Sequence, residues 1–252
     1  FTYRAGIGTM PFVHFDSDFA KPVEMEVRRK NGKIDSVKIR PASAKVVARM
    51  AGDAVAFSLT GPTKISVEVN GDTNGNLMVF ANPREEKPVA GPGPGVYFFG
   101  PGEHALGGDG RGTLKLADGD TVYIAGGAIV YGNIEAKDVK NVAIRGRGIL
   151  RGCQFHVAPQ KTVNLVRMEN VADASIEGIV LLDTTTWNVL LSSCDRVRVS
   201  NVKIMAHGTY SDGVNPVDSR HVTIDGCFVR NGDDCFSIKL RMVSPHWTPR
   251  MA

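Results

Sequence analysis

One short phrase recurs along the second half of the chain, and it constrains the fold more than any other feature. It alternates apolar and polar residues, and its apolar centres follow one another at steps of 20, 32, 23 and 25 residues. These centres are Ile124, Ile144, Ile176, Val199 and Ile224. Alternation with β-branched residues indicates half-buried strands, and a period in the twenties is typical of a solenoid of parallel strands. We therefore predict an all-β parallel β-helix whose longest step carries an inserted loop at about 153–161.

Three aspartates lie in the last predicted coils, each close to a glycine. Asp212 precedes Gly213, and Asp233 and Asp234 follow Gly232. One coil further along a parallel solenoid lies about 4.8 Å away, so the spacing predicts that Asp212 and Asp233 stack on the same face. Neighbouring residues of a regular strand point to opposite faces, so we expect a backbone bend at Gly232 that brings all three carboxylates together.

Clustered carboxylates suit the hydrolysis of a glycosidic bond with inversion. One protonated carboxylic acid gives its proton to the leaving oxygen, and an ionised carboxylate activates a water molecule. Two other interpretations exist, because Asp-Gly is a common turn dipeptide and acids can hold a structural cation. The spacing of all three aspartates favours the catalytic interpretation.

Two motifs about one coil apart resemble those of the polygalacturonase family, which are pectin-degrading glycoside hydrolases with a right-handed parallel β-helix. Tyr210-Ser-Asp-Gly213 resembles the family's Asn-Thr-Asp-Gly, with Tyr210 in place of Asn, and Gly232-Asp-Asp-Cys235 matches its Gly-Asp-Asp. The resemblance implies that Asp233 is the general acid and that Asp212 and Asp234 hold the attacking water. It implies a polysaccharide substrate, with no metal and no cofactor.

Five further residues are predicted to contact the sugar. They are Trp187, His207, Asn215, Arg220 and Lys239. Trp187 lies one coil before Asp212, where the resemblance places a tryptophan, and its flat ring suits the apolar face of a sugar; packing against a neighbouring coil is an equally good interpretation. Arg220 has the geometry for a bidentate contact with a sugar carboxylate. His156, in the inserted loop, is another candidate.

The resemblance ends after Lys239. The family's later Gly-His-Gly and Arg-Ile-Lys motifs have no counterpart in this sequence, and the predicted coils are about half the family's number. We therefore expect a truncated β-helix, which can be inactive. The alternatives are a dextranase-like hydrolase of a neutral glucan, a polysaccharide lyase that uses Ca²⁺ and a basic residue, and a non-catalytic carbohydrate-binding β-helix.

The first part of the chain, residues 1–88, reads as a separate domain of short strands. Val23–Val27 and Val37–Ile39 flank Asn31-Gly32, which predicts a hairpin. Strands at 64–69 and 77–80 flank a second turn, and short strands with regular turns predict a small β-sandwich. Prolines and glycines at 89–95 predict a linker before the β-helix at 96–252.

Composition excludes some partners. The net charge is only +4 and the basic residues are scattered, so no nucleic acid is expected. No apolar stretch reaches the length of about 18 residues that a membrane span needs. The four cysteines show no metal-binding spacing; packing inside the coils is the favoured interpretation, and a disulfide is the alternative. We expect a secreted or periplasmic protein of bacterial origin.

Overall fold

The computed structural model describes residues 2–5, 8–152, 163–184 and 186–240. Contacts within the chain divide it into two units, Phe1–Lys87 and Pro88–Ala252. The regular secondary structure of the described residues is β-strand apart from one short 3₁₀ helix at Ala42–Ala44. The predicted inserted loop with His156 lies outside the described residues.

Eight strands form two sheets in the described part of the first unit. They are β1 (Thr2–Ala5), β2 (Gly8–Ser17), β3 (Val23–Arg28), β4 (Val37–Arg40), β5 (Arg49–Ala51), β6 (Ala54–Leu59), β7 (Thr63–Val69) and β8 (Leu77–Pro83). The five-stranded sheet has the order β1-β2-β8-β7-β4, and the three-stranded sheet has the order β3-β6-β5. Buried residues of β6, β7 and β8 share one apolar cluster. A β-sandwich arrangement of the two sheets stays a prediction.

The predicted hairpin around Asn31-Gly32 is wrong. β3 pairs with β6, which places Met25 opposite the buried Phe57, and β4 pairs with β7. Both partners offer an apolar face, and burial of that face outweighs the local turn signal. The second predicted pair, β7 with β8, is antiparallel as expected.

The described residues of the second unit form three parallel β-sheets, and each sheet runs along the stack of coils. The strands are β9 (Val96–Phe99), β10 (Gly102–Ala105), β11 (Thr113–Leu116), β12 (Thr121–Ile124), β13 (Ala128–Tyr131), β14 (Asn133–Lys137), β15 (Ala143–Gly146), β16 (Ile149–Arg151), β17 (Val166–Glu169), β18 (Ala172–Glu177), β19 (Val180–Leu182), β20 (Val189–Ser192), β21 (Asp195–Ser200), β22 (Lys203–Met205), β23 (Val214–Val217), β24 (Arg220–Asp225) and β25 (Phe228–Arg230). Consecutive strands of the chain belong to the first, second and third sheet in rotation. The parallel β-helix predicted from the repeat is therefore confirmed.

Each sheet takes every third strand of the β-helix. The first sheet is β9-β12-β15-β18-β21-β24, the second is β10-β13-β16-β19-β22-β25, and the third is β11-β14-β17-β20-β23. One coil thus consists of a strand from each sheet. Buried side chains from all three sheets meet in a single apolar cluster inside the coils.

The recurring phrase forms one column in the first sheet. Ile176 pairs with Ile144 on one side and with Val199 on the other, and Val199 pairs with Ile224. The prediction is wrong by two residues for the first member of the column, because Val122 and not Ile124 pairs with Ile144. Val122 and Ile124 are both fully buried, and a two-residue shift keeps the same face inward, so alternation alone does not distinguish them.

Residues with left-handed backbone recur where the chain passes from the third sheet to the first, either in the corner itself or at the second residue of the strand that follows. Each has a φ between 49° and 57°. They form two columns, Asp138, Asn170, Ser193 and Asp218 in one and Asn141, Asp173, Arg196 and His221 in the other. Asn and Asp tolerate this conformation better than most residues, which explains why they often open the recurring phrase. The repeated corner keeps successive coils in register.

Asp195, on the outer surface of the first sheet, is surrounded by basic side chains. Arg220 Nη2 lies 3.2 Å from its Oδ2, His221 Nδ1 lies 2.7 Å from its Oδ1, and Arg196 also contacts it. Hydrogen bonds from Arg220 and then His221 hold the pKa of the Asp195 carboxyl well below its usual range.

This lowered pKa predicts an acid-dependent stability. A carboxyl whose pKa is depressed by folding stabilises the fold above its unfolded value of about 3.9, and this contribution is lost as pH falls towards the folded value. Asp195→Asn is therefore expected to lower the free energy of unfolding at pH 7, and the difference from wild type should shrink below about pH 4. Urea unfolding at pH 7 and pH 3 measures it. Equal differences at both values would contradict the prediction.

Candidate active site

The joint between the second and third sheets carries most of the predicted site residues. Trp187 lies between β19 and β20, His207 and Asp212 lie between β22 and β23, and Asp233 and Asp234 follow β25. Because the coils stack in register, these segments lie one above another. The joint varies in length, from the single residue 132 between β13 and β14 to residues 152–165 between β16 and β17, of which 153–162 lie outside the described residues.

The strand register places Asp212 in a vertical row with two other predicted residues. Val189 pairs with Val214, and Val214 pairs in turn with Phe236. Continued towards the N-terminus, this register aligns Asp212 with Trp187 in the coil before and Asp234 in the coil after. The sequence spacing predicted Asp233 in the position that Asp234 occupies.

Two glycines allow the coils of this joint to approach closely. A Cβ atom at Gly213 would lie 2.2 Å from the carbonyl oxygen of Cys235, and one at Gly232 would lie 2.7 Å from that of Gly208. Both distances are far below a normal contact. Gly232 is thus required by close backbone approach, whereas the sequence suggested a role in bending the chain.

The Asp212 carboxylate is buried and held by two side chains on the same oxygen. Asp212 is 3% exposed. Asn215 Nδ2 and Lys239 Nζ each donate to its Oδ2 at 2.8 Å. Its Oδ1 accepts no hydrogen bond from the residues that the structure describes. One carboxylate oxygen is therefore fixed by the protein, and the other is left as an acceptor.

Lys239 connects this carboxylate to the tryptophan of the preceding coil. Its Nζ lies 3.8 Å from the centroid of the Trp187 ring, within the range of a cation–π contact. Trp187 itself is half-buried. The sequence predicted Lys239 and Trp187 as sugar contacts, and the structure gives the Lys239 ammonium two partners inside the protein.

Asp233 and Asp234 are exposed on a turn that is hydrogen-bonded to the coil below. The Asp234 amide donates to Asp233 Oδ1 at 2.9 Å. Ser211 Oγ accepts from the Gly232 amide at 3.0 Å, and Asn231 Nδ2 donates to the Ser211 carbonyl at 2.8 Å. This turn fixes the acid pair relative to the Asp212 segment.

Sequence reasoning missed three of the residues that shape the site: Asn188, Ser211 and Asn231. Asn188 Nδ2 donates to the Asp212 carbonyl at 3.0 Å, so it holds the Asp212 backbone from the coil below. Ser211 and Asn231 directly precede Asp-Gly and Gly-Asp-Asp, and this adjacency was the available signal. Small polar residues beside turns commonly bond to the local backbone.

The carbonyl oxygens of two buried asparagines in this region have no hydrogen-bond partner among the described residues. They are Asn188 Oδ1 and Asn215 Oδ1. A buried oxygen left unpaired costs about 1–3 kcal/mol. Both amide groups are instead used to hold Asp212, which is the pattern of a site that trades stability for positioning.

The remaining predicted contacts lie in different places. His207 is half-buried in the same segment as Asp212. Arg220 begins β24 in the first sheet, where it pairs with Asp195, so the structure does not bring it to the Asp212 carboxylate.

The described ranges contain no group of three or more His, Cys, Asp or Glu side chains that could hold a metal ion. Cys194, Cys227 and Cys235 are free thiols there. Cys194 is buried as predicted and Cys227 is half-buried, but Cys235 is exposed, so the predicted packing inside the coils is wrong for Cys235. In the same ranges no helix is long and apolar enough to cross a membrane.

Stacked parallel coils that carry Asp-Gly and Gly-Asp-Asp on one joint define a parallel β-helix protein with a carboxylate site. Residues 132–244, which contain these motifs, match the family model described as glycosyl hydrolases family 28. The match confirms the resemblance to polygalacturonase-type glycoside hydrolases that the motifs predicted.

Relatives of this chain include two curated proteins, one from a plant and one from a fungus. A "Probable polygalacturonase" of Vitis vinifera is 29% identical over 103 residues, which cover 39% of this chain and 21% of the relative. A "Probable rhamnogalacturonase A" of Aspergillus oryzae is 25% identical over 160 residues, which cover 58% and 33%. The chain therefore spans about a fifth to a third of the length of these curated relatives.

One similar solved structure is the family 28 exopolygalacturonase of Yersinia enterocolitica. It has a TM-score of 0.45 and 13% identity, and the match covers 74% of this chain and 52% of that one.

Proposed function

We propose that this protein hydrolyses a glycosidic bond of a pectic polysaccharide, polygalacturonan or rhamnogalacturonan, with inversion at the anomeric carbon. The observation that carries the proposal is the way in which the Asp212 carboxylate is held. Its Oδ2 is held by Lys239 and Asn215, its Oδ1 is left as an acceptor, and the exposed acid pair lies in the adjacent coil. The names of the curated relatives favour a pectic substrate.

Three carboxyl groups divide the reaction between them. Asp233 gives its proton to the glycosidic oxygen as the bond to the anomeric carbon breaks. Water attacks that carbon from the opposite face and loses a proton to a carboxylate, which restores the charge balance. Asp212 Oδ1 and Asp234 hold this water. The fixed geometry of Asp212 supports such a role, because a positioned acceptor lowers the entropy cost of aligning water with the anomeric carbon.

A substrate screen tests the proposal. The protein should release new reducing ends from polygalacturonan or rhamnogalacturonan and little or none from dextran, and proton NMR of the first product should show the inverted anomer. Formation of an ultraviolet-absorbing unsaturated product, and loss of that formation when EDTA is added, would indicate a lyase. Binding of oligogalacturonide without any product would indicate a non-catalytic carbohydrate-binding protein. Either result, or cleavage of dextran alone, would overturn the proposal.

A further inference from the structure

The Lys239 side chain reaches across two coils of the β-helix. Its backbone lies in the same coil as the acid pair, where it bridges to Val217. Its ammonium binds Asp212 in the coil below at 2.8 Å and lies 3.8 Å from the ring centroid of Trp187 in the next coil down. One side chain therefore links three successive coils at the candidate active site.

The positive charge of Lys239 compensates the negative charge of the buried Asp212 carboxylate. An ionised carboxylate as buried as this one is costly unless a positive charge and hydrogen bonds compensate it. Lys239 supplies the charge and Asn215 supplies a hydrogen bond, and both act on Oδ2. Because both donors use the same oxygen, the carboxylate cannot rotate without losing both contacts, and Oδ1 keeps one direction.

The Trp187 ring in turn holds the ammonium in place. A lysine side chain is long and flexible, and it loses much rotamer entropy when it is fixed. The electron-rich face of an indole attracts an ammonium at this distance. Trp187 therefore helps to hold the ammonium in the position from which it binds Asp212.

We propose that Lys239, seated on Trp187, is a positioning residue that fixes the orientation of the Asp212 carboxylate so that Oδ1 faces the attacking water. This rests on the proposed function. It differs from the role expected from the sequence, in which Lys239 and Trp187 contact the sugar. A sugar contact acts on substrate binding, whereas a positioning residue acts on the chemical step.

Steady-state kinetics separate the two roles. Lys239→Met keeps most of the side-chain length and removes the charge, and we expect kcat to fall about 10- to 100-fold, with KM within about twofold of wild type. Lys239→Arg, which keeps a cation, should recover most of the lost rate. The thermal midpoints of all three proteins identify any loss of folding. A large rise in KM with unchanged kcat, or no recovery with Arg, would overturn the proposal.

A second measurement does not depend on activity. The chain has two tryptophans, so Trp247→Phe leaves Trp187 as the only indole emitter. In that background, Asp212→Asn removes the anionic partner of the ammonium and Lys239→Met removes the ammonium, so each should change the emission of Trp187. Unchanged emission in both variants would refute the link between the three residues. A protein that hydrolyses none of the substrates yet shows both changes would refute the proposed function and support the link.

Discussion

Asp233→Asn is expected to lower the rate of glycosidic bond hydrolysis by about 10²- to 10⁴-fold, the usual contribution of a general acid. The amide N–H is too weakly acidic to protonate the leaving oxygen. It keeps the size of the side chain and an oxygen that can accept from the Asp234 amide, as Asp233 Oδ1 does at 2.9 Å. The fold and KM should therefore change little, and reducing-end release under saturating substrate measures the loss.

Asp225→Asn is the matched control for this variant. Asp225 is also an exposed aspartate, but it lies on β24 in the first sheet and pairs with Arg198 at 3.1 Å. Its replacement should leave the rate within about twofold of wild type, since exposed ion pairs contribute roughly 0–1 kcal/mol. Full activity in the Asp233→Asn variant would show that Asp233 is not the general acid.

Ile176→Ala is expected to lower the free energy of unfolding of the β-helix by about 2–5 kcal/mol. Ile176 is fully buried and sits in the middle of its column, between Ile144 and Val199. Removing three carbon atoms there leaves a cavity that the coils above and below cannot both close. Denaturant unfolding followed by far-ultraviolet circular dichroism measures the change.

Ser175→Ala tests whether the effect depends on the inward face. Ser175 is the neighbour of Ile176 on the same strand, and its side chain is only partly buried on the opposite face. It should change the free energy of unfolding by less than about 0.5 kcal/mol. Similar losses for the two variants would contradict the inward orientation of the column.

The stacking of the coils could be predicted because the same local pattern repeats. Ile144, Ile176, Val199 and Ile224 stand at corresponding places in their phrases, and each phrase buries the same face. The prediction is off by two residues in the first coil, because Val122 and Ile124 are both buried apolar residues. Only the position of the corner shows which of them pairs with Ile144. In the first unit, the hairpin failed because strand partners far apart in the sequence bury more apolar surface than the nearby turn offers.

The acids of the candidate site could be predicted because each lies in a short motif. Their roles stay a prediction. The contacts around them could not be foreseen, because Trp187, Asp212 and Lys239 come from three coils and no sequence window contains them together. Register also decided which acid aligns with Asp212, since a difference of one residue exchanges Asp233 and Asp234.

The variable joint between the second and third sheets has a consequence for how such a protein can diversify. Its segments range from residue 132 alone to residues 152–165, while the flanking strands keep their ladders and their inward side chains. Insertions in this joint change the surface that a bound polysaccharide would contact, and they leave the flanking strands undisturbed. New specificities can therefore arise by local lengthening, coil by coil, at little cost to folding.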